Sequence, residues 1–142
     1  MSLINTNRVL VPIDFSTESW QALAETRDFV KDSAQIYVIH VLPRLNPADP
    51  GVAWNTVNDL TRKENVEKKL LEQLSAPKYQ RINYYVAIGD PSSQIIDYAE
   101  TNQIELIVIP SHGYTGLRRF FLGSVAEKVV RFSHCPVLVL RR

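Results

Sequence analysis

Two periodicities alternate along this chain. Runs that are apolar at nearly every position, as in a strand covered on both faces, give way to stretches whose apolar residues recur every three or four positions, as in a helix with one buried side. Arg8–Ile13 (RVLVPI), Ile36–Val41 (IYVIHV), Leu106–Pro110 (LIVIP) and Pro136–Leu140 (PVLVL) are of the first kind. Ile82–Ile88 (INYYVAI) is more mixed and suits a strand at the sheet edge. Helices are predicted from about Ser16, from Asn55 to Ser75, from Pro91, and over Ser124–Phe132.

Local signals support these starts. Ser16 is an N-cap residue, Glu18 falls in the first turn, and Phe15 with Trp20 has the spacing of a hydrophobic staple. Trp20, Leu23, Ala24 and Arg27 form the predicted inner face, the last through its stem. In the longer helix Val57, Leu60, Val66, Leu70, Leu71 and Leu74 are the apolar positions, and Arg62, Lys63, Glu64 and Glu67 form a solvated face. Asp90 caps the next helix with Pro91 at its first position, turning Ile95, Ile96 and Ala99 inward. The segment Leu42–Trp54, rich in proline, is irregular.

Strands alternating with helices imply an α/β fold: a doubly wound, five-stranded parallel sheet with right-handed crossovers and helices on both faces. The residues allow the strand orders 2-1-3-4-5 and 3-2-1-4-5. Either places the ligand site beyond the carboxyl ends of the strands, where the order reverses, at the end of the first strand.

Composition narrows the function. The 142 residues, 45% of them hydrophobic, suit one domain spanning 1–142 without a metal or disulfide staple. The single cysteine, Cys135, excludes an internal bridge, and no cysteine cluster suggests zinc. A net charge of +1, from 16 basic and 15 acidic residues, gives no reason to expect nucleic acid or an anionic membrane as partner. The first residues, MSLINTNRVLVPIDFS, lack the features of a signal peptide, and no apolar run approaches the ~20 residues that span a bilayer. A cytoplasmic protein is the expectation.

Two segments at strand carboxyl ends carry candidate chemistry: Val11–Ser16 (VPIDFS) and Ile109–Ser124. Adjacent first and fourth strands would bring Asp14 near Gly113. A phosphate needs backbone N–H donors at close approach and a helix N-terminus. Gly113 and Gly123 remove obstructing side chains, Ser124 offers a hydroxyl at a helix start, and Arg118 and Arg119 add charge. Each residue also has a purely structural reading. Ser124 to Glu127 is a capping box, Gly113 and Gly116 are turn residues, and Asp14 caps the first helix. His40 and His112 are candidates for proton transfer, but no orienting partner is evident. Cys135 is more simply a small hydrophobe. The lysine of a Walker A loop is missing, which argues against a motor-type NTPase.

With VLVPIDFS near its start and SHGYTGLRRFFLGSVAEKVVRFSHCPVLVL at its end, the chain resembles the universal stress protein family over essentially its whole length. The resemblance implies the order 3-2-1-4-5 and a homodimer paired through the last strand, Val137–Leu140. It also implies ATP binding through Gly, two residues, Gly, nine residues, then Gly-Ser or Gly-Thr. Gly113, the nine residues Tyr114–Leu122 and Gly123-Ser124 match that pattern. By the same resemblance, Pro12, Asp14 and Val41 line the adenine and ribose, and Ile109 and Pro110 flank the ribose. Gly113, Gly123, Ser124 and Val125 hold the phosphates, with Mg or Mn as an optional companion.

Pro110 departs from the pattern, standing where its first glycine belongs. Proline fixes φ near −65° and has no N–H, so a donor to the nucleotide is missing. One lost hydrogen bond to a sugar hydroxyl weakens binding by about 0.5–1.5 kcal/mol, roughly tenfold at most. The expected function is a stress-response protein that binds ATP and reports through its dimer or an unknown protein partner. The alternatives are an interaction module whose nucleotide site is vestigial and a slow ATPase, although no general base, metal set or nucleophile stands out.

Overall fold

In the computed structural model of the chain, which describes residues 3–48, 50, 58–112 and 122–141, the five apolar runs lie in one parallel sheet. Its strands are β1 (Arg8–Pro12), β2 (Gln35–Leu42), β3 (Asn83–Ile88), β4 (Leu106–Pro110) and β5 (Val137–Leu140), in the order β3-β2-β1-β4-β5. Of the two orders the residues allowed, the one implied by the resemblance is present. The mixed run is an edge strand, as expected, and exposes Tyr84 and Tyr85. Every residue of β4 and the middle of β1 are buried, because helices cover both faces.

The described helices are α1 (Thr17–Phe29), α2 (Asp59–Leu74), α3 (Pro91–Thr101) and α4 (Ser124–Phe132). Strand alternation divides the core in two. Val9 and Val11 pack with Leu23 of α1 and Leu70 of α2, whereas Leu10 between them packs with Ile95 of α3 and Val129 of α4.

The caps behave largely as the sequence predicts. Ser16 Oγ accepts from the Ser19 amide at 3.1 Å, and the staple rings of Phe15 and Trp20 meet edge-on at 6.0 Å. Asp90 Oδ2 accepts from the Ser93 amide at 3.0 Å, with Pro91 first in α3. Gly89, just before that cap, has φ 146°, and a Cβ there would lie 2.9 Å from Gln94 Nε2, so the turn requires glycine.

Other expectations need correction. The buried face of α1 is Ser19, Ala22, Leu23 and Thr26, rotated away from Trp20, Ala24 and Arg27. The two hydroxyls can be buried because they donate back to main-chain oxygens of Ser16 (2.9 Å) and Ala22 (2.7 Å). The second helix starts at Asp59, since Asn58 Oδ1 caps it by accepting from the Thr61 amide at 2.9 Å. Asn55 and Val57 lie outside the described residues. Its buried stripe narrows to Leu70, flanked by Val66 and Leu74, while Leu60 and Leu71 are 69% and 49% exposed. A helix lying over the sheet edge has only a narrow line of apolar neighbours. The last strand starts one residue late, at Val137. Pro136 contributes only its carbonyl, which accepts from the Ile107 amide at 3.0 Å.

Candidate functional site

The sheet opens where its order reverses. β1 pairs with β2 from Arg8–Gln35 to Pro12–Ile39, but its register with β4 holds only Val9–Leu106 and Leu10–Ile107. Beyond these pairs lies a cavity of about 240 Å³. Pro12 and Asp14 line it from the end of β1, Val41 from β2, and Ile109 and Pro110 from β4. Gly123, Ser124 and Val125 line it from the start of α4. Asp14 thus shares a cavity with Ser124. Gly113, its expected neighbour, lies outside the described residues, as do Gly116, Arg118, Arg119 and part of the segment Leu42–Trp54.

The turn after β1 is built by side chains. Ile13 still donates its amide to Ile39 at 2.8 Å. Asp14 Oδ1 then accepts from the Ser16 amide at 2.9 Å and from the Ser16 hydroxyl. Asp14 therefore does not cap α1; it braces Ser16, which does. Phe15 between them has φ 67°, a left-handed conformation uncommon for an aromatic residue.

The reading of His40 as lacking an orienting partner is corrected. Its Nδ1–H donates to the Ile13 carbonyl at 2.6 Å, and its ring meets Phe15 edge-on at 4.8 Å. Burial pushes its pKa below the usual 6.5, against the raising effects of the Ile13 bond and Asp14. The ring is therefore neutral near pH 7. His112 Nδ1 lies 3.4 Å from Ser111 Oγ. Cys135 is half-buried against the second core, and burial raises its thiol pKa, which suits a packed side chain.

Pro110 sits at the end of a buried strand without breaking a rung. Ile107 and Ser111 donate to β5 oxygens, the latter to Leu140 at 2.8 Å, so alternation turns the nitrogen of Pro110 to the β1 side. The β1–β4 register has already ended there. The proline therefore removes a donor from the crevice wall, not from the sheet.

The capping-box reading of Ser124 is also overturned. Gly123 is the N-cap, Ser124 is the first helical residue, and no side chain caps the helix. Glu127 pairs with Arg131 one turn on, in the i,i+4 geometry a helix surface offers. The Glu127 amide reaches Gly123 O at 2.9 Å, leaving the three preceding amides without acceptors inside the helix. Ser16, Asn58 and Asp90 cap α1, α2 and α3. Of these four helices, α4 alone starts without a side-chain cap, and it does so on the cavity.

Sequence reasoning missed several lining residues, including Ile39, Ser111, Pro91 and Ile95. Ile39 and Ser111 are neighbours of predicted positions. Pro91 and Ile95 carry no local signal, because only the packing of α3 beside α4 brings them to the crevice. The result is an apolar slot that can take a flat ring, with a carboxylate on one wall and free helix amides for an anion.

The universal stress protein family model matches residues 5–141. The chain belongs to that family. It is 31% identical over 140 residues to universal stress protein MJ0531 of Methanocaldococcus jannaschii, covering 95% of this chain and 82% of that one. The structure of MJ0577 from the same organism superposes with a TM-score of 0.78 at 26% identity, covering 96% of each chain. Two less similar structures share the fold. One, a universal stress protein in complex with cAMP, has a TM-score of 0.67 at 20% identity, covering 95% of this chain and 97% of that one. The other, a family member from Arabidopsis thaliana with AMP bound, has a TM-score of 0.65 at 17% identity, covering 96% and 92%.

Proposed function

We propose that this member of the family is a stress-response protein that binds ATP in the crevice between β1 and β4 and signals through dimer or partner contacts. One observation carries the reading: the apolar walls, Asp14 and the uncapped start of α4 meet on one cavity at the strand reversal. The cAMP and AMP complexes of its structural neighbours support an adenine nucleotide as the ligand class.

In this reading Pro12, Val41 and Ile109 enclose the base and ribose, and the Asp14 carboxylate accepts from ribose hydroxyls. The main-chain amides of Ser124 and Val125, with the Ser124 hydroxyl, take the phosphates. Gly123 and Gly113 keep the approach clear. Pro110 removes one donor and lowers affinity by about 0.5–1.5 kcal/mol. In this reading Mg or Mn would enter with the phosphates.

The same reading takes residues 1–142 as one domain and β5, whose Leu138 is 40% exposed, as the dimer edge. No described helix is long and apolar enough to cross a membrane, and the cytoplasm is the proposed location.

Mass spectrometry of small molecules released from the purified protein, together with calorimetric titration of ATP, ADP, AMP and cAMP, tests the ligand. Folded protein that carries and binds none of them would refute the proposal. Pro110 favours a second reading, an interaction module with a vestigial site. That reading requires a wild type that binds no nucleotide and a Pro110→Gly variant that gains binding.

A further inference from the structure

Ile39 and Val41 pack toward α3 and α4, so His40 between them points to the opposite face of β2. There it meets Phe15, whose ring also lies under the Lys69 ammonium of α2 at 4.7 Å and beside Trp20 at 6.0 Å. The Nδ1–H of His40 holds the Ile13 carbonyl at 2.6 Å. Ile13 is the first residue beyond β1, and its amide still bonds the Ile39 oxygen at 2.8 Å before the chain turns off the sheet. The following residue is Asp14, which lines the cavity, and the next is Phe15 with its left-handed φ of 67°.

A left-handed aromatic residue persists only where its surroundings over-determine it. Here a hydrogen bond on one side of Asp14 and a ring cluster on the other hold the turn, and both involve His40. Pairing of β1 with β2 from Arg8 to Pro12 does not depend on the imidazole. What does depend on it is the path of the chain from Ile13 to Phe15.

We infer that His40 is a positioning residue of the cavity: it fixes the Ile13–Phe15 turn so that the Asp14 carboxylate stands at the crevice wall. His40 is itself among the residues that line the cavity, and the effect assigned to the turn passes through Asp14. The ligand part of this inference rests on the nucleotide reading; the turn part does not.

Two variants of the full chain test it. His40→Asn keeps an N–H donor near the place of Nδ1, and His40→Leu keeps bulk without a donor. In ligand-free protein the Ser16 amide, bonded to Asp14 Oδ1, reports the turn by NMR shift and hydrogen exchange. Calorimetry with ATP reports the cavity.

His40→Leu is expected to move the Ser16 amide and to weaken ATP binding about tenfold, and His40→Asn to restore both. In an Asp14→Asn background His40→Leu adds no further loss, an outcome that general destabilisation would not produce. Unchanged ATP affinity in His40→Leu, equal losses in both variants, or additive losses with Asp14→Asn would overturn the inference. If the wild type binds no ATP, the nucleotide reading falls by itself, and the Ser16 amide decides the turn: movement in Leu and recovery in Asn uphold it, and no movement refutes it. Should His40→Leu fail to fold, His40→Met, which also keeps bulk without a donor, takes its place with the same expected outcomes.

Discussion

Gly123 donates its amide to the main-chain oxygen of Ser111 at 2.7 Å, so the chain that leaves β4 returns to the same point before α4 begins. That bond sets the helix start against the strand end whatever path the intervening loop takes. It also explains how α4 can open without a side-chain cap. The tether holds its first turn in place, and the unused amides stay directed at the cavity.

The backbone of Gly123, at φ −60° and ψ 155°, is one that any residue adopts. What glycine contributes there is the lack of a side chain, which leaves the amides open and adds no competing cap. Gly123→Asp is expected to cap α4 and stabilise the protein by roughly a few tenths of a kcal/mol, which raises the thermal midpoint slightly. The same carboxylate blocks the amides and repels phosphate, so ATP affinity falls at least about tenfold. Calorimetry and a thermal melt of one variant check both signs; a variant that binds ATP like the wild type would contradict the role given to α4.

Pro110→Gly restores an N–H on the crevice side without changing any rung to β5. ATP affinity is expected to rise by up to about tenfold. Stability is expected to fall by about 0.4–1 kcal/mol, because the unfolded chain gains freedom. Titration and urea denaturation of the variant measure the two effects, and unchanged affinity would show that the missing donor does not face the nucleotide.

His40 links stability to pH. Its folded-state pKa lies below the ordinary 6.5 because burial disfavours the charged ring. The unfolded chain therefore takes up the proton first as pH falls. Stability from this group is complete above 6.5 and declines below it, toward the folded-state value. Urea midpoints at about pH 7.5 and about pH 5 are expected to differ more in the wild type than in His40→Asn, and equal differences would exclude His40 as the source.

Leu70 is fully buried and is the one buried residue of α2. Leu70→Ala is expected to cost about 2–5 kcal/mol, through lost transfer energy and a residual cavity. Leu71→Ala, its exposed neighbour, should change stability by no more than about 0.5 kcal/mol. Paired denaturation curves separate the two.

The proposed dimer edge is tested at Leu138. Leu138→Lys places a charge on the exposed side of β5 and is expected to shift a dimeric wild type to a monomer by light scattering. A dimer that survives the change would move the interface elsewhere.

Much of the fold was legible because short-range physics writes it. Unbroken apolar runs such as LIVIP mark central strands, and Ser16 and Asp90 start helices through bonds that span three residues. Where the reading slipped, a local rule met a competing partner. Ser124 to Glu127 has the capping-box pattern, but Arg131 engages Glu127 and Gly123 takes the cap position. The apolar pattern of α1 points to Trp20, Leu23, Ala24 and Arg27 as the inner face, yet back-bonding lets the hydroxyls of Ser19 and Thr26 turn inward.

The sequence by itself determined the strands, the helices, and the positions that share the family's nucleotide pattern, since these depend on periodicity and neighbouring residues. Only the tertiary structure decided the strand order among the alternatives open to the residues, the crevice where β1 and β4 part, and the partners that meet there. His40 could not be paired with Ile13 from the sequence, and Pro110 could not be assigned a crevice-facing nitrogen. Those relations follow from which strand lies beside which, and strand adjacency is a long-range choice that no local pattern encodes.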